Sequence, residues 1–262
     1  VFATDLLKNQ VVVVTGGGTG IGLAIAERLG SLGARIAIGS RGSGNLEKGA
    51  AALQHAGLDP LAVQVDVRKP EQVDEMVERV VRHFGRIDIL VNNAAGNFVC
   101  RAEELSPNGW SAVVDIVLNG SFFCSRAVGR HMIARGGGGS IVSVLANYVW
   151  TASPGTIHSA AAKAGVLSMT RTLAVEWACH RIRVNAVAPG PIDTSGAAKQ
   201  LWNSPEAVER ITSRVPLRRW GTPAEVADAV AFLVSPMAAY ITGDTITIDG
   251  GSRFGAGPYA FL

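Results

Sequence analysis

Cysteine is scarce in this 262-residue chain, and Cys100, Cys124 and Cys179 form no closely spaced pair. That excludes a disulfide framework and a cysteine-based metal site, and no metal is expected. An odd count of isolated thiols fits a reducing compartment, so a cytoplasmic location is expected. Charge is thin as well: 17% of residues are charged and the net charge is +3. Such mild basicity does not argue for a nucleic-acid partner, although it would not repel an anionic ligand. No apolar run approaches the roughly 18–20 residues that cross a bilayer, so membrane insertion is not expected. The first residues carry no signal-peptide pattern. Linkers, low-complexity tracts and internal repeats are missing too, and residues 1–262 read as one domain around one core.

What the chain does contain is apolar residue, 48% of the total, arranged in alternation. Short β-branched runs at 10–15, 34–40, 61–67, 86–92, 140–145, 181–189 and 245–250 read as buried parallel strands. Longer segments between them carry helical spacing, as in residues 71–85 with Val73, Met76, Val77 and Val80 on one side. Parallel strands need a crossover, so strand–helix alternation predicts an α/β fold, a doubly wound sheet with helices on both faces.

The first run leads into TGGGTGIG, Thr15 to Gly22, and then into a helical pattern. Glycines here permit backbone angles closed to other residues and let a pyrophosphate approach a helix N-terminus. A glycine-rich string alone is weak evidence, but one that follows the first strand and opens a helix is strong. Gly16, Gly18, Thr19, Gly20, Ile21 and Gly22 are therefore candidate cofactor contacts. The second run ends in Ser40-Arg41, with no acidic residue to hold a free ribose 2′-hydroxyl. A guanidinium suits a 2′-phosphate instead, so Ser40 and Arg41 point to NADP(H) over NAD(H).

With TGGGTGIG, Asp66, NNAAG (92–96), Lys163 and PGPIDT (189–194) in order, the chain resembles the short-chain dehydrogenase/reductase family. The resemblance covers nearly the whole length. It implies a single Rossmann-type sheet of about seven strands, an adenine contact at Asp66 beside Val67, and backbone contacts at Asn92, Asn93 and Ala94. It also implies nicotinamide held by Pro189, Gly190, Ile192 and Thr194. Lys163 would bind the nicotinamide ribose, and Asn119 in a long helix 108–134 would support that lysine through water. A homotetramer is implied as well, in keeping with the apolar faces of helices 108–134 and 156–178.

Two of the family's usual catalytic groups are missing. The usual serine, seventeen positions before Lys163, is Ala146, and the usual tyrosine, one helical turn before it, is Ser159. The chain is similar to one branch in particular, the 2,4-dienoyl-CoA reductases, through NNAAGNF (92–98), ELSPNGW (104–110), DIVLNG (115–120) and SAAAKAGV (159–166). That branch carries its tyrosine after the fifth strand, and Tyr148 sits there, fifteen positions before Lys163. The resemblance implies Tyr148, Lys163, Asn97, Ser159 and Asn119 as the catalytic set. Arg68, Asn97, Phe98, Ser106 and Tyr148 would face an acyl-CoA thioester. A further branch arginine is replaced by Gln200, beside Lys199.

Other readings of these residues stay open. Tyr148 could be a packing aromatic, Asn97 a turn residue, Ser106 a helix cap ahead of Pro107, and Arg68 a solvated charge. His158 is a substitute acid on the strength of its free pKa, although a histidine beside a helix start is ordinarily exposed. At the level of function, the implied activity is NADPH-dependent reduction of 2,4-dienoyl-CoA to 3-enoyl-CoA in β-oxidation of unsaturated fatty acids. The alternatives are a carbonyl reductase or alcohol dehydrogenase on the same fold, and a non-catalytic sensor of nucleotide redox state.

Overall fold

The computed structural model describes residues 2–194 and 205–255. Seven parallel strands form one sheet: β1 (Val11–Thr15), β2 (Arg35–Ser40), β3 (Leu61–Gln64), β4 (Ile89–Asn92), β5 (Gly139–Val144), β6 (Ile182–Pro189) and β7 (Thr245–Ile248). Their order across the sheet is β3-β2-β1-β4-β5-β6-β7. Every strand pair is parallel, with Val12 of β1 opposite Ile36 of β2 and Ile89 of β4.

The helices are α1 (Gly20–Ser31), α2 (Ser43–His55), α3 (Pro70–Phe84), α4 (Pro107–Val114), α5 (Gly120–Arg135), α6 (Ile157–Glu176), α7 (Pro205–Thr212) and α8 (Pro223–Val234). Alternate strand residues face opposite layers, as the pleat requires. Val12 and Val14 pack with α1, α2 and α8. Val11 and Val13 pack with α3 and α5. A third cluster joins α4 and α6 over Ala186 and Ala188 of β6. Both faces are covered, so the strands are apolar runs rather than alternating ones.

Strand order reverses between β1 and β4, and in such sheets the crevice beyond the strand C-termini at that switch point receives ligands. The loops after β1, β2, β4, β5 and β6 all open there.

Three details depart from the sequence expectations. β3 stops at Gln64, while Val65 and Val67 stay buried beyond it, so apolarity outlasts the strand. Helix 108–134 is realised as α4 and α5 joined through a π turn, Asp115–Asn119. Lastly, Pro107–Arg135 is long and apolar enough by average composition to cross a bilayer, although polar residues interrupt it throughout and no unbroken apolar run of that length occurs. Half of its apolar window is buried within the molecule, where Val113, Val117, Cys124, Val128 and Met132 fill the core.

Candidate active site

The loop after β1 presents backbone rather than side chains. Gly16 and Gly20 have φ of +64° and +54°, a region that penalises a Cβ. A Cβ at Gly22 would overlap the Gly16 carbonyl and the Asn93 amide, and one at Gly18 would overlap the Asn45 carbonyl. Thr19 caps α1 without a side-chain hydrogen bond, which leaves first-turn N–H groups for an outside acceptor. This glycine cradle, open at a helix N-terminus, fits a dinucleotide pyrophosphate. Thr194 lies 3.8 Å from where a Gly20 Cβ would sit. The segment after β6 therefore reaches across the loop, with Ile192 bridged to Gly221 and Gly190 held by Ile248.

Thr15 ties the two sides of the switch point together, a role the sequence reading did not assign. Its Oγ1 donates to the Val91 carbonyl and accepts the Asn93 and Ala94 N–H groups. Asn93 in turn donates to the Thr15 and Gly16 carbonyls. Asn92 donates to Ser125, and its Oδ1 is buried without a partner.

At the end of β2, Ser40 is half-buried and Arg41 exposed. Asp66 and Arg68 form a two-pronged pair, with Nε to Oδ1 at 2.9 Å and Nη2 to Oδ2 at 2.5 Å. The Arg68 hydrogen bonds hold the Asp66 carboxyl below its usual range, and the Arg41 charge adds to this. Arg68 is thus engaged with Asp66, next to buried Val67, rather than free in solvent.

The chemistry-bearing groups gather on β5 and α6. Tyr148 lies in the 3-10 turn Asn147–Val149 after β5, and its Oη is 2.8 Å from Ser159 Oγ. Burial raises the phenol pKa above its ordinary value, and the Ser159 hydrogen bond offsets part of that rise. The phenol is therefore held protonated. Lys163, one turn along α6, is buried, and its Nζ donates to the Val144 carbonyl at the end of β5. Burial lowers its pKa from 10.5 to about 8. Ala146 precedes the tyrosine turn and offers no hydroxyl.

Remaining candidates are placed as follows. Asn97, on the loop after β4, accepts the Phe98 N–H at its own Oδ1, 3.0 Å away, as a turn asparagine does. Phe98 is 38% exposed and meets His158 edge-on. Ser106 caps α4 by accepting the Gly109 N–H, with Pro107 at the first helical position. Asn119 sits at the end of the π turn and donates to Asp115 Oδ1 at 2.8 Å. His158, expected at the surface, is fully buried because the Phe98 loop folds over the start of α6. Gln200 and Lys199 lie outside the described residues.

The Tyr148 turn has an anchor that nothing local in the sequence announces. Asn147 Nδ2 donates to Ser252 Oγ at 2.8 Å and to Asp249 Oδ2 at 3.3 Å, about a hundred residues away. Asp249 also accepts the Gly251 and Arg253 N–H groups. The turn after β7 therefore fixes the turn after β5.

Residues 16–253 match the family model described as enoyl-(acyl carrier protein) reductase. The chain is 48% identical over 256 residues to a probable 2,4-dienoyl-CoA reductase of Bacillus subtilis, named as (2E)-enoyl-CoA-producing. That alignment covers 97% of this chain and 100% of the relative. It is 41% identical over 260 residues to a peroxisomal 2,4-dienoyl-CoA reductase of Arabidopsis thaliana, named as (3E)-enoyl-CoA-producing, covering 95% and 86% respectively. Among solved structures, a short chain dehydrogenase from Bacillus anthracis superposes with a TM-score of 0.87 at 48% identity, covering 94% of this chain and 98% of that one. A putative short-chain alcohol dehydrogenase from Sinorhizobium meliloti gives 0.90 at 35% identity, covering 95% and 98%.

Proposed function

We propose a substrate and a mechanism for a chain that belongs to the short-chain dehydrogenase/reductase family of nicotinamide oxidoreductases. It reduces 2,4-dienoyl-CoA thioesters with NADPH and serves the β-oxidation of unsaturated fatty acids. The observation that carries this reading is the 2.8 Å contact between Tyr148 Oη and Ser159 Oγ, beside buried Lys163. A phenol from the strand-end turn stands where the family's usual helix tyrosine is replaced.

NADPH, when bound, supplies the hydride. The loop from Gly16 to Gly22 would hold the pyrophosphate, Ser40 and Arg41 the 2′-phosphate, and Asp66 with Asn92 to Ala94 the adenosine side. Pro189 to Thr194 and Lys163 would hold the nicotinamide riboside.

A dienoyl thioester that accepts hydride at its far carbon spreads negative charge through the diene to the thioester oxygen. Donors fixed in advance at that oxygen are commonly the largest catalytic contribution. Tyr148 Oη and Asn97 Nδ2 are those donors. Asn97 Oδ1 accepts the Phe98 N–H, which orients the amide and leaves the Nδ2 hydrogens to donate. Tyr148, kept protonated by burial, then gives its proton to the α carbon, directly or through water. The product is a 3-enoyl-CoA, with one hydride and one proton added across the diene. Ser159 orients the phenol through its 2.8 Å hydrogen bond, and a proton from water restores the phenol after each turnover. Relatives bearing the dienoyl-CoA reductase name support the thioester.

A second reading has its own support: Tyr148 and Ser159 form a two-hydroxyl pair that would also polarise a ketone. Incubating the pure protein with NADPH and either a 2,4-dienoyl-CoA or a panel of ketones separates the two. Oxidation of NADPH with the dienoyl-CoA and release of 3-enoyl-CoA is the expected result. Turnover of ketones alone contradicts the substrate, a 2-enoyl product contradicts protonation at the α carbon, and NADPH binding without any turnover indicates a sensor.

A further inference from the structure

His158 belongs to neither the cofactor cradle nor the donor pair, yet it touches both arms of the site. It is fully buried, and its Nδ1 accepts the Ser159 backbone N–H at 2.8 Å. With Nδ1 accepting, the neutral ring carries its proton on Nε2, and Nε2 has no partner. A phenyl ring would fill the same space without leaving a buried donor unpaired, a state that is costly. What the imidazole adds is the acceptor at Nδ1. Its other contact is with Phe98, edge-on, with centroids 4.4 Å apart and planes at 79°. The Phe98 loop is fastened to the same place a second time, by the Cys100 N–H donating to the Gly155 carbonyl at 2.9 Å.

We propose that His158 is a positioning residue of this site: Nδ1 fixes Ser159, and through it Tyr148, while the ring fixes Phe98, and through it Asn97. One side chain thus sets the two donors, which come from different strand ends, in a common frame. The inference rests on the reading of Tyr148 and Asn97 given above. Such control matters because misplacement of a donor weakens transition-state stabilisation far more than ground-state binding.

Two substitutions separate the arms. His158→Phe keeps the edge-on ring and removes the acceptor. His158→Asn keeps an acceptor near the Nδ1 position and removes the ring. Steady-state kinetics with NADPH and a 2,4-dienoyl-CoA are measured for both, with NADPH binding as the check on folding. His158→Phe is expected to lower kcat about tenfold, the effect of one lost buried hydrogen bond, with KM for the thioester nearly unchanged. His158→Asn is expected to act mainly by raising KM, since Phe98 loses its support. In a Ser159→Ala background, His158→Phe should cost less than about twofold more, because both changes cut the same arm.

Near-normal kcat in His158→Phe would overturn the proposal, as would equal losses of kcat and KM in both variants that multiply fully with Ser159→Ala. Should His158→Phe fail to bind NADPH, the kcat-against-KM split of His158→Asn decides. A wild-type protein active on ketones but not on the dienoyl-CoA would contradict the substrate only, and the same variants would then be read with the ketone.

Discussion

Lys163 and Tyr148 have their pKa values moved in opposite directions by one cause. Burial pushes the lysine down to about 8 and the phenol up, because low polarity disfavours whichever form is charged. For Lys163 the folded value lies below the unfolded value of 10.5, so the unfolded chain binds more protons between the two. Stability should therefore rise with pH across that window. Below pH 8 the full cost of keeping an ammonium in the core applies, on the order of 3 kcal/mol. In the cofactor-free protein, wild type should gain stability relative to Lys163→Met between pH 8 and 10.5, as followed by denaturant unfolding. A flat difference across that range would show that the lysine is solvated. Arg41→Ala tests the cofactor: it should erase a preference for NADPH of about ten- to a hundredfold and leave NADH activity nearly unchanged. Equal kcat/KM for the two cofactors in wild type would contradict the assignment. The position of Arg41, just past β2, was legible because a strand end without an acid is visible in one dimension. The buried state of His158 was not, since it depends on a loop some sixty residues earlier folding over it.

Elements were the most legible level. Most strands are apolar runs rich in β-branched residues, and burial on both faces is why the central runs are continuous. The register of features that follow a strand was harder to read, as β3 shows by ending at Gln64 while its apolar sequence continues to Val67. The π turn Asp115–Asn119 was invisible, because an extra residue in a turn leaves the composition helical. Asn119, at its end, donates to Asp115, and π turns inside helices often mark functional positions. The glycines of the first loop give a prediction at this scale. Gly22→Ala should abolish NADPH binding, because the new methyl group would strike the Gly16 carbonyl and the Asn93 amide. Gly44→Ala in α2 meets nothing within 4 Å and should leave binding intact while stabilising the helix by about 0.5–1 kcal/mol. Calorimetric titration of NADPH against both variants checks the contrast, and tight binding by Gly22→Ala would contradict the cradle.

For the whole molecule, the sheet reversal between β1 and β4 explains why residues scattered from Gly16 to Asp249 converge. Sequence order shows which strands exist, but the Asn147 clamp on Asp249 and Ser252 spans about a hundred residues and emerges only when β5 and β7 lie in one sheet. The same assembly leaves apolar side chains outside: Phe122 on α5 is 45% exposed, and Ile157 and Val175 on α6 are 47% and 82% exposed. We propose that a second copy covers those helices and that two such pairings make a tetramer. Light scattering at micromolar concentration is expected to give four times 27.3 kDa. A monomer mass would contradict the proposed assembly.

The displaced phenol is the centre of this account, and Tyr148→Phe tests it most directly. Steady-state turnover of a 2,4-dienoyl-CoA with saturating NADPH is compared in wild type, Tyr148→Phe and Ser159→Ala. Loss of one oxyanion donor that is also the general acid should lower kcat by about 10²–10⁴ in Tyr148→Phe while NADPH binds normally. Ser159→Ala should fall much less, and adding Ser159→Tyr should not rescue Tyr148→Phe, because that phenol would enter from the helix. Near-normal kcat in Tyr148→Phe would make the tyrosine a packing residue and contradict the mechanism.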